Sequence, residues 1–396
     1  MNVIWKTWGV LGIIGLGSVA CGDDQPMGAV PDALTREAVV SYANIVHASY
    51  ADSLSTAEAL KTANAALVAQ PSEEALTEAR DAWLAAREPY LETEVYRFYD
   101  GPIDNAEDGP EALMNAWPLD ENYIDYVEGD AEAGIINDAE VAIDASTLES
   151  LNEQGGERNI ATGYHAVEFL LWGQDLSADG PGARPYTDYV VGAGSTASNQ
   201  ERRGEYLSTV SDLLVENLAG LMAAWALDDE TNYRAGFINL APKEGLRRIL
   251  TGMIILSGFE TGGERLQAAV DSGEQEEEHS CFSDNTHRDM IQDIEGVQNV
   301  YLGTYDALSG TDISGTGIRD VVADRDEALA QAIADKITES LAKANALQVP
   351  FDQEIQSDNT EGRNRVIALV TSLHELERLL QDAFRLFELD VPDDPA

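Results

Sequence analysis

Residues 161 to 175 read ATGYHAVEFLLWGQD, and inside that run His165 and Glu168 stand three positions apart among Tyr164, Val167, Phe169, Leu170, Leu171 and Trp172. Positions i and i+3 of a helix share a face, so an imidazole nitrogen and a carboxylate oxygen are presented to one spot. At that spacing the two groups make a chelating pair, as Glu-x-x-His does in di-iron helical bundles. An isolated His-x-x-Glu is more often a core histidine hydrogen-bonded to its own glutamate. The apolar surroundings weigh the other way, because a buried carboxylate needs a cation or a donor to offset its lost hydration. Gly163, two positions ahead of the histidine, lets another backbone or a ligand come close.

A metal needs more donors, and the stretch REPYLETEVYRFYDGPIDN is the best source of them. Glu94 and Asp104 lie near Tyr90, Tyr96, Phe98 and Tyr99 and supply oxygens for such a shell. Arg87 and Arg97 offer the alternative of plain ion pairs, and both readings stand. A third cluster, EQEEEHSCFSDNTHRD, holds His279, Cys281, Asp284 and His287 beside Glu276, Glu277 and Glu278. It lacks the paired-cysteine spacing of a zinc site and reads as an acidic solvated loop leading into a helix at Asp284-Asn285-Thr286. His47 reads as a helix-face residue. The chain has no His-Glu-x-x-His, no Gly-x-Ser-x-Gly and no Gly-x-x-x-x-Gly-Lys, so zinc-protease, hydrolase-elbow and phosphate-loop chemistry find no motif.

These residues need elements to position them, and the hydrophobic spacing is helical almost throughout. The windows are Leu34–Leu67, Ser72–Phe98, Arg158–Trp172, Gln200–Trp225, Pro242–Val270, Thr286–Leu302, Gly317–Leu347 and Glu361–Glu388. Ser72-Glu73-Glu74 and Ser357-Asp358-Asn359-Thr360 are start signals. Residues 99–157 mix short helical pieces with turns, and residues 271–285 read as a polar loop. A second His-x-x-Glu, His374 and Glu377 in SLHELERLLQD, hints at internal duplication. The expected fold is all-α, with two related helical-bundle halves in one compact unit. Residues 34–198 form the first half and 199–388 the second.

The opening MNVIWKTWGVLGIIGLGSVAC has one charged side chain, Lys6, then a short apolar run that ends at Cys21. That is a secretory signal with a lipobox-like end, so residues 1–21 read as a lipoprotein signal and 22–33 as a flexible tether. Lipid on Cys21 would attach the chain to a membrane without spanning it. No later segment is long and apolar enough to span. With 72 Asp and Glu against 24 Lys and Arg, the net charge of −48 makes nucleic acid an unsuitable partner. The excess is spread along the chain and fits a solvated surface in salty surroundings. Cys281 has no partner if Cys21 carries lipid, so no disulfide framework holds the fold.

Gly163, His165 and Glu168 match the Gly-x-His-x-x-Glu marker of the imelysin-like family, and the chain resembles its iron-regulated protein A branch. The blocks REPYLETEVYRFYDGPIDN, GYHAVEFLLWGQDLS and EEEHSCFSDNTHRDM look like that branch's, in order, and the resemblance spans about residues 34 to 388. It implies two related helical bundles, export to the periplasm or the cell surface, and frequent lipid anchoring. It also implies a metal at the His-x-x-Glu pair, iron acquisition, and a filing among metallopeptidases. At the second pair Ser372-Leu373 replace Gly163-Tyr164, so His374 and Glu377 depart from the family marker and their role is left open.

The leading expectation is a lipid-anchored envelope protein on the periplasmic or outer-membrane face, binding a metal through His165, Glu168 and Glu94 with Asp104 nearby. Iron is favoured; zinc and copper take the same donors. Components of an iron-uptake system are the expected partners. The alternative is a metallopeptidase whose metal activates water, with Glu94 or Glu168 as base. A third reading is a periplasmic binding module in which the His-x-x-Glu pair is structural.

Overall fold

The computed structural model describes residues 31–177 and 179–392; the signal segment, Cys21 and the tether up to residue 30 lie outside them. The first helix, α1 (Asp32–Ala69), starts two residues before the expected Leu34. After the turn at 70–72 the chain folds back as α2 (Glu73–Leu91), whose Ser72 cap accepts the Ala75 N–H while Glu73 and Glu74 face the positive helix end. The expected window to Phe98 stops early. Pro89 fills the last turn, and a single 3₁₀ turn, Glu94–Tyr96, follows.

Residues 99–157 are turns with three short helices, α3 (Glu111–Met114), α4 (Glu121–Ile124) and α5 (Ala145–Leu151). Then comes α6 (Gly163–Trp172), with every residue buried, and α7 (Gln200–Ala224). The sequence window for α6 began at Arg158. The helix starts later because Gly163 takes φ +86°, and a Cβ there would stand 2.5 Å from the Met114 carbonyl oxygen. Helices α1, α2, α6 and α7 pack on one another as the first bundle.

The chain continues through α8 (Tyr233–Phe237) into α9 (Pro242–Ile254), a π-helical stretch Ile255–Gln267, and α10 (Ala268–Ser272). Next are α11 (Thr286–Leu302), a two-residue pairing of β1 (Thr304–Tyr305) with β2 (Ile313–Ser314), and α12 (Ile318–Ala323). Helices α13 (Glu327–Ala344), α14 (Phe351–Ile355) and α15 (Thr360–Leu386) complete it. The expected window Gly317–Leu347 breaks between α12 and α13, where Asp326 leaves the helical region and caps the Leu329 N–H. The π-helical stretch packs along α15, α13 lies on α15 and α11, and together they form a second bundle. One contiguous apolar core runs from Ala38 through both bundles to Leu389.

The two His-x-x-Glu pairs lie on different members of their bundles. His165 and Glu168 are on the third long helix of the first, and His374 and Glu377 on the last of the second. The loop before α11 corrects the sequence reading. From Glu278 to Asn285 it is threaded into the interior, not solvated, with Glu278 fully buried and His279 2% exposed. Its polar side chains are paid for by partners from the first bundle, described next.

Candidate metal centre

The His165 ring and the Glu168 carboxylate meet as the spacing requires, with Nδ1 of His165 2.9 Å from Oε2 of Glu168. Both are buried, at 1% and 0% exposure. The other oxygen of Glu168, Oε1, accepts the Ser283 N–H at 2.9 Å and the Ser283 hydroxyl at 2.7 Å. Glu168 is thereby tied to the buried loop of the second bundle. His165 Nε2 has no hydrogen-bond partner, although it is buried. A carboxylate on Nδ1 that leaves Nε2 free is the arrangement that orients an imidazole toward a metal.

The same device recurs on the loop. His279 Nδ1 is 2.7 Å from Oδ2 of Asp289, and its ring centroid lies 4.9 Å from that of His165 at an interplanar angle of 70°. Asp289 also accepts from the Ser280 hydroxyl, from Arg87 at 3.0 Å and from Asn285 at 3.2 Å. Arg87 is held in turn by Asn115 Oδ1 at 2.6 Å, and its guanidinium stands over the Tyr164 ring. His279 borders a cleft of about 170 Å³ lined with Arg97, Glu111, Trp117, Glu260 and Arg265.

Burial governs the proton affinities. It pushes the Glu168 carboxyl up to about 8, against the pull of Ser283 and Arg87. It holds His165 well below the ordinary imidazole range, with Arg87 and His279 adding to the effect. Burial together with Arg265 brings His279 down to about 4. Burial would also raise Asp289, but Arg87 and His279 outweigh it and keep that carboxyl well below the usual range. Both imidazoles are neutral at pH 7, the form that ligates.

The four residues expected to share a site are placed differently. His165 and Glu168 touch. Glu94, fully buried on the 3₁₀ turn, gives Oε2 to Arg97 at 2.6 Å and to Arg265 at 2.5 Å, while Oε1 has no partner. Burial works to raise this carboxyl, yet the two guanidiniums bring it down to about 2. Arg265, on the π-helical stretch, also reaches Asp293 at 2.9 Å and Glu260 at 3.0 Å, and it lines the same cleft as His279. Asp104 gives Oδ2 to the Phe98 N–H and Oδ1 to the Gly101 N–H, fixing a turn in which Phe98 and Asp100 take positive φ. The ion-pair reading of Glu94 holds on Oε2, while Oε1 is without a partner.

Sequence reasoning singled out His279 but left it in a loop read as solvated, and it missed Ser283 of that loop, Asp289 at the start of α11, and Arg265. The loop's signal was the mixture of Ser, Thr, Asn and aromatic residues among the acids, unlike a purely charged run.

An all-helical protein of two bundles, burying an imidazole–carboxylate pair against a loop from the opposite bundle, is the class that fold and centre define. A family model named for imelysin and filed with the peptidases matches residues 46–380. The chain belongs to the imelysin family. The iron-regulated protein A of Synechococcus elongatus is 23% identical over 318 residues, covering 75% of this chain and 74% of that one. A crystal structure described as an iron-regulated protein A precursor from Parabacteroides distasonis superposes with TM-score 0.71 at 20% identity, covering 90% of this chain and 97% of the other. An imelysin-like protein from Psychrobacter arcticum gives TM-score 0.64 at 12% identity, covering 93% and 100%. At these identities the two structures bear on the fold, and both are helical proteins of this architecture.

Proposed function

We propose that the chain binds a metal ion, iron in the favoured reading, as cargo at His165, and that it acts in iron uptake or handling at the cell envelope. His165 supplies Nε2 as ligand, and Glu168 orients the ring through its contact with Nδ1. Glu94 is the carboxylate in reserve behind Arg265, and Asp104 holds the turn that follows it. The observation that carries the reading is the orphaned, buried Nε2 of His165 opposite a carboxylate-bound Nδ1. An imidazole among carboxylates suits iron, and zinc or copper would bind the same donors. Family membership supports iron handling or a peptidase-like function.

Lipid on Cys21 would place the protein on the periplasmic or outer-membrane face, with the ion passed to other components of an iron-uptake system. Among the described residues no helix is long and apolar enough to cross a membrane. Cys21→Ser should release the protein from the membrane fraction, and unchanged association refutes the anchor.

The test of the centre is metal content. His165→Ala should lose stoichiometric metal by elemental analysis while circular dichroism stays helical; undiminished metal removes the proposal. The peptidase reading draws on the full burial of Glu168, which pushes its carboxyl up to about 8, a range suited to general acid–base work. It requires chelator-sensitive fragments from unfolded polypeptide substrates, and a blank across substrates removes it.

A further inference from the structure

On the far side of the Ser283 loop, four carboxylates converge from segments distant in the chain. Asp175 follows the C-terminal end of α6, Glu278 and Asp284 lie in the buried loop, and Asp352 is on α14. Oxygens of Asp175, Asp284 and Asp352 all lie within 4.8 Å of one another. That is about twice a calcium–oxygen bond of roughly 2.4 Å, so one ion can touch all three. Glu278 lies against Asp352 and faces Asp284.

Glu278, Asp352 and Asp284 are 0%, 3% and 5% exposed, yet their oxygens are unsatisfied. Both oxygens of Glu278, both of Asp352, Oδ1 of Asp284 and Oδ2 of Asp175 have no hydrogen-bond partner. Thr286 sits beside Glu278 without completing a hydrogen bond. Among the described residues no arginine, lysine or histidine forms an ion pair with any of the four. Buried carboxylate oxygens without donors or counter-charges are costly; burial, with Asp352 adding to it, raises Asp175 to about 6 and Asp284 to about 7, and burial alone raises Asp352. Asp284 is a non-glycine at φ +57°, a backbone state that needs support from its surroundings.

We propose that Asp175, Glu278, Asp284 and Asp352 form a second cation site, for a hard divalent ion of the calcium class, separate from the His165 centre. The donors are all oxygen, which selects against zinc and copper. Four carboxylates gathered from separate segments leave little room for the bound waters that magnesium retains, whereas calcium accepts six to eight oxygens in loose geometry. Asp175 is partly exposed and borders a surface cavity of about 380 Å³ with Trp172 and Arg184, which gives the ion a way in. A bound ion would staple α14 and the end of α6 to the loop that carries His279 and Ser283.

The test uses the chelator-treated full chain in buffer of physiological ionic strength. Calcium should raise the thermal unfolding midpoint by a few degrees as the ion binds only the folded state. Terbium should give one equivalent of luminescence sensitised by Trp172, displaced by calcium and not by equal magnesium. Asp352→Asn and Glu278→Gln should each abolish both signals while their calcium-free midpoints match or exceed wild type, because buried repulsion has been removed. A wild-type midpoint indifferent to calcium, with no sensitised terbium, overturns the proposal and leaves shared protons to relieve the cluster. Calcium responses that survive in both variants overturn it as well. His165→Ala should keep the calcium response, so failure of the His165 centre and failure of this site are read separately.

Discussion

His165 and His279 come from opposite bundles, yet their rings stand 4.9 Å apart, and each has Nδ1 committed to a carboxylate, Glu168 in one case and Asp289 in the other. Two imidazoles prepared in the same way point to a shared ion more strongly than the helix motif does alone. His279→Ala should therefore reduce bound iron as severely as His165→Ala, measured by elemental analysis of folded protein. Full metal content in that variant removes His279 from the donor set.

Glu168→Gln keeps the size of the side chain and both Ser283 contacts in reach, but it removes the acid that accepts the Nδ1–H of His165 once a cation has displaced its own proton. Losses of outer-shell carboxylates weaken metal affinity by about 10- to 100-fold. A titration of the variant should show that loss in Kd without loss of helicity. An unchanged Kd would mean that Glu168 plays no part in orienting the ring.

The first bundle contains a second buried charge network whose role is structural. Asp125, fully buried, accepts from Arg184 Nη1 at 2.7 Å and from Arg203 Nε and Nη2 at 2.7 and 2.9 Å. Asp125→Ala removes the carboxylate shared by two buried guanidiniums, leaving Arg184 with Asp188 and Arg203 with backbone carbonyls, and breaking such a buried pair costs about 3–5 kcal/mol. Chemical denaturation should show this deficit with an unchanged calcium response, since Asp125 belongs to neither proposed site.

Glu92 gives the stability a defined pH slope. Burial, with Glu295 adding to it, pushes its carboxyl up to about 8, far above an unfolded glutamate. Between the unfolded value and 8 the native state holds a proton that the unfolded chain has released, so its contribution is full at low pH and falls as pH rises. The slope from this one group is at most about 1.4 kcal/mol per pH unit. Glu92→Gln should flatten the decline between pH 5 and pH 8 in denaturant midpoints, and a wild-type slope in the variant rules Glu92 out as its source.

The long helices were legible because their apolar spacing and caps are local. Thr286–Leu302 matches its window, and Ser72 and Asn359 cap where the residues indicated. The pairing of His165 with Glu168 was legible for the same reason, being fixed by one helical turn. Where the outcome depended on tertiary partners, local pattern was silent. The loop from Glu278 to Asn285 looked solvated because its residues are polar, but Trp117 and Glu168 meet it from far along the chain, and Arg87 reaches Asp289 just beyond it. The π-helical stretch that sets Arg265 against Glu94 and Asp293 follows an ordinary helical pattern in sequence. The break ahead of α13 was marked only by Asp326, a capping residue hidden within an otherwise periodic window.

The contact between Ser283 and Glu168 carries a consequence for how such proteins are recognised and made. Gly-x-His-x-x-Glu is a short signature contained wholly in the first bundle, whereas the second imidazole and the hydroxyl that braces the glutamate are supplied by the other. Neither bundle owns the centre. A fragment bearing the signature would carry half a receptacle, and a chain that lacks the signature's distant loop is a poor candidate for the same role however well its motif agrees.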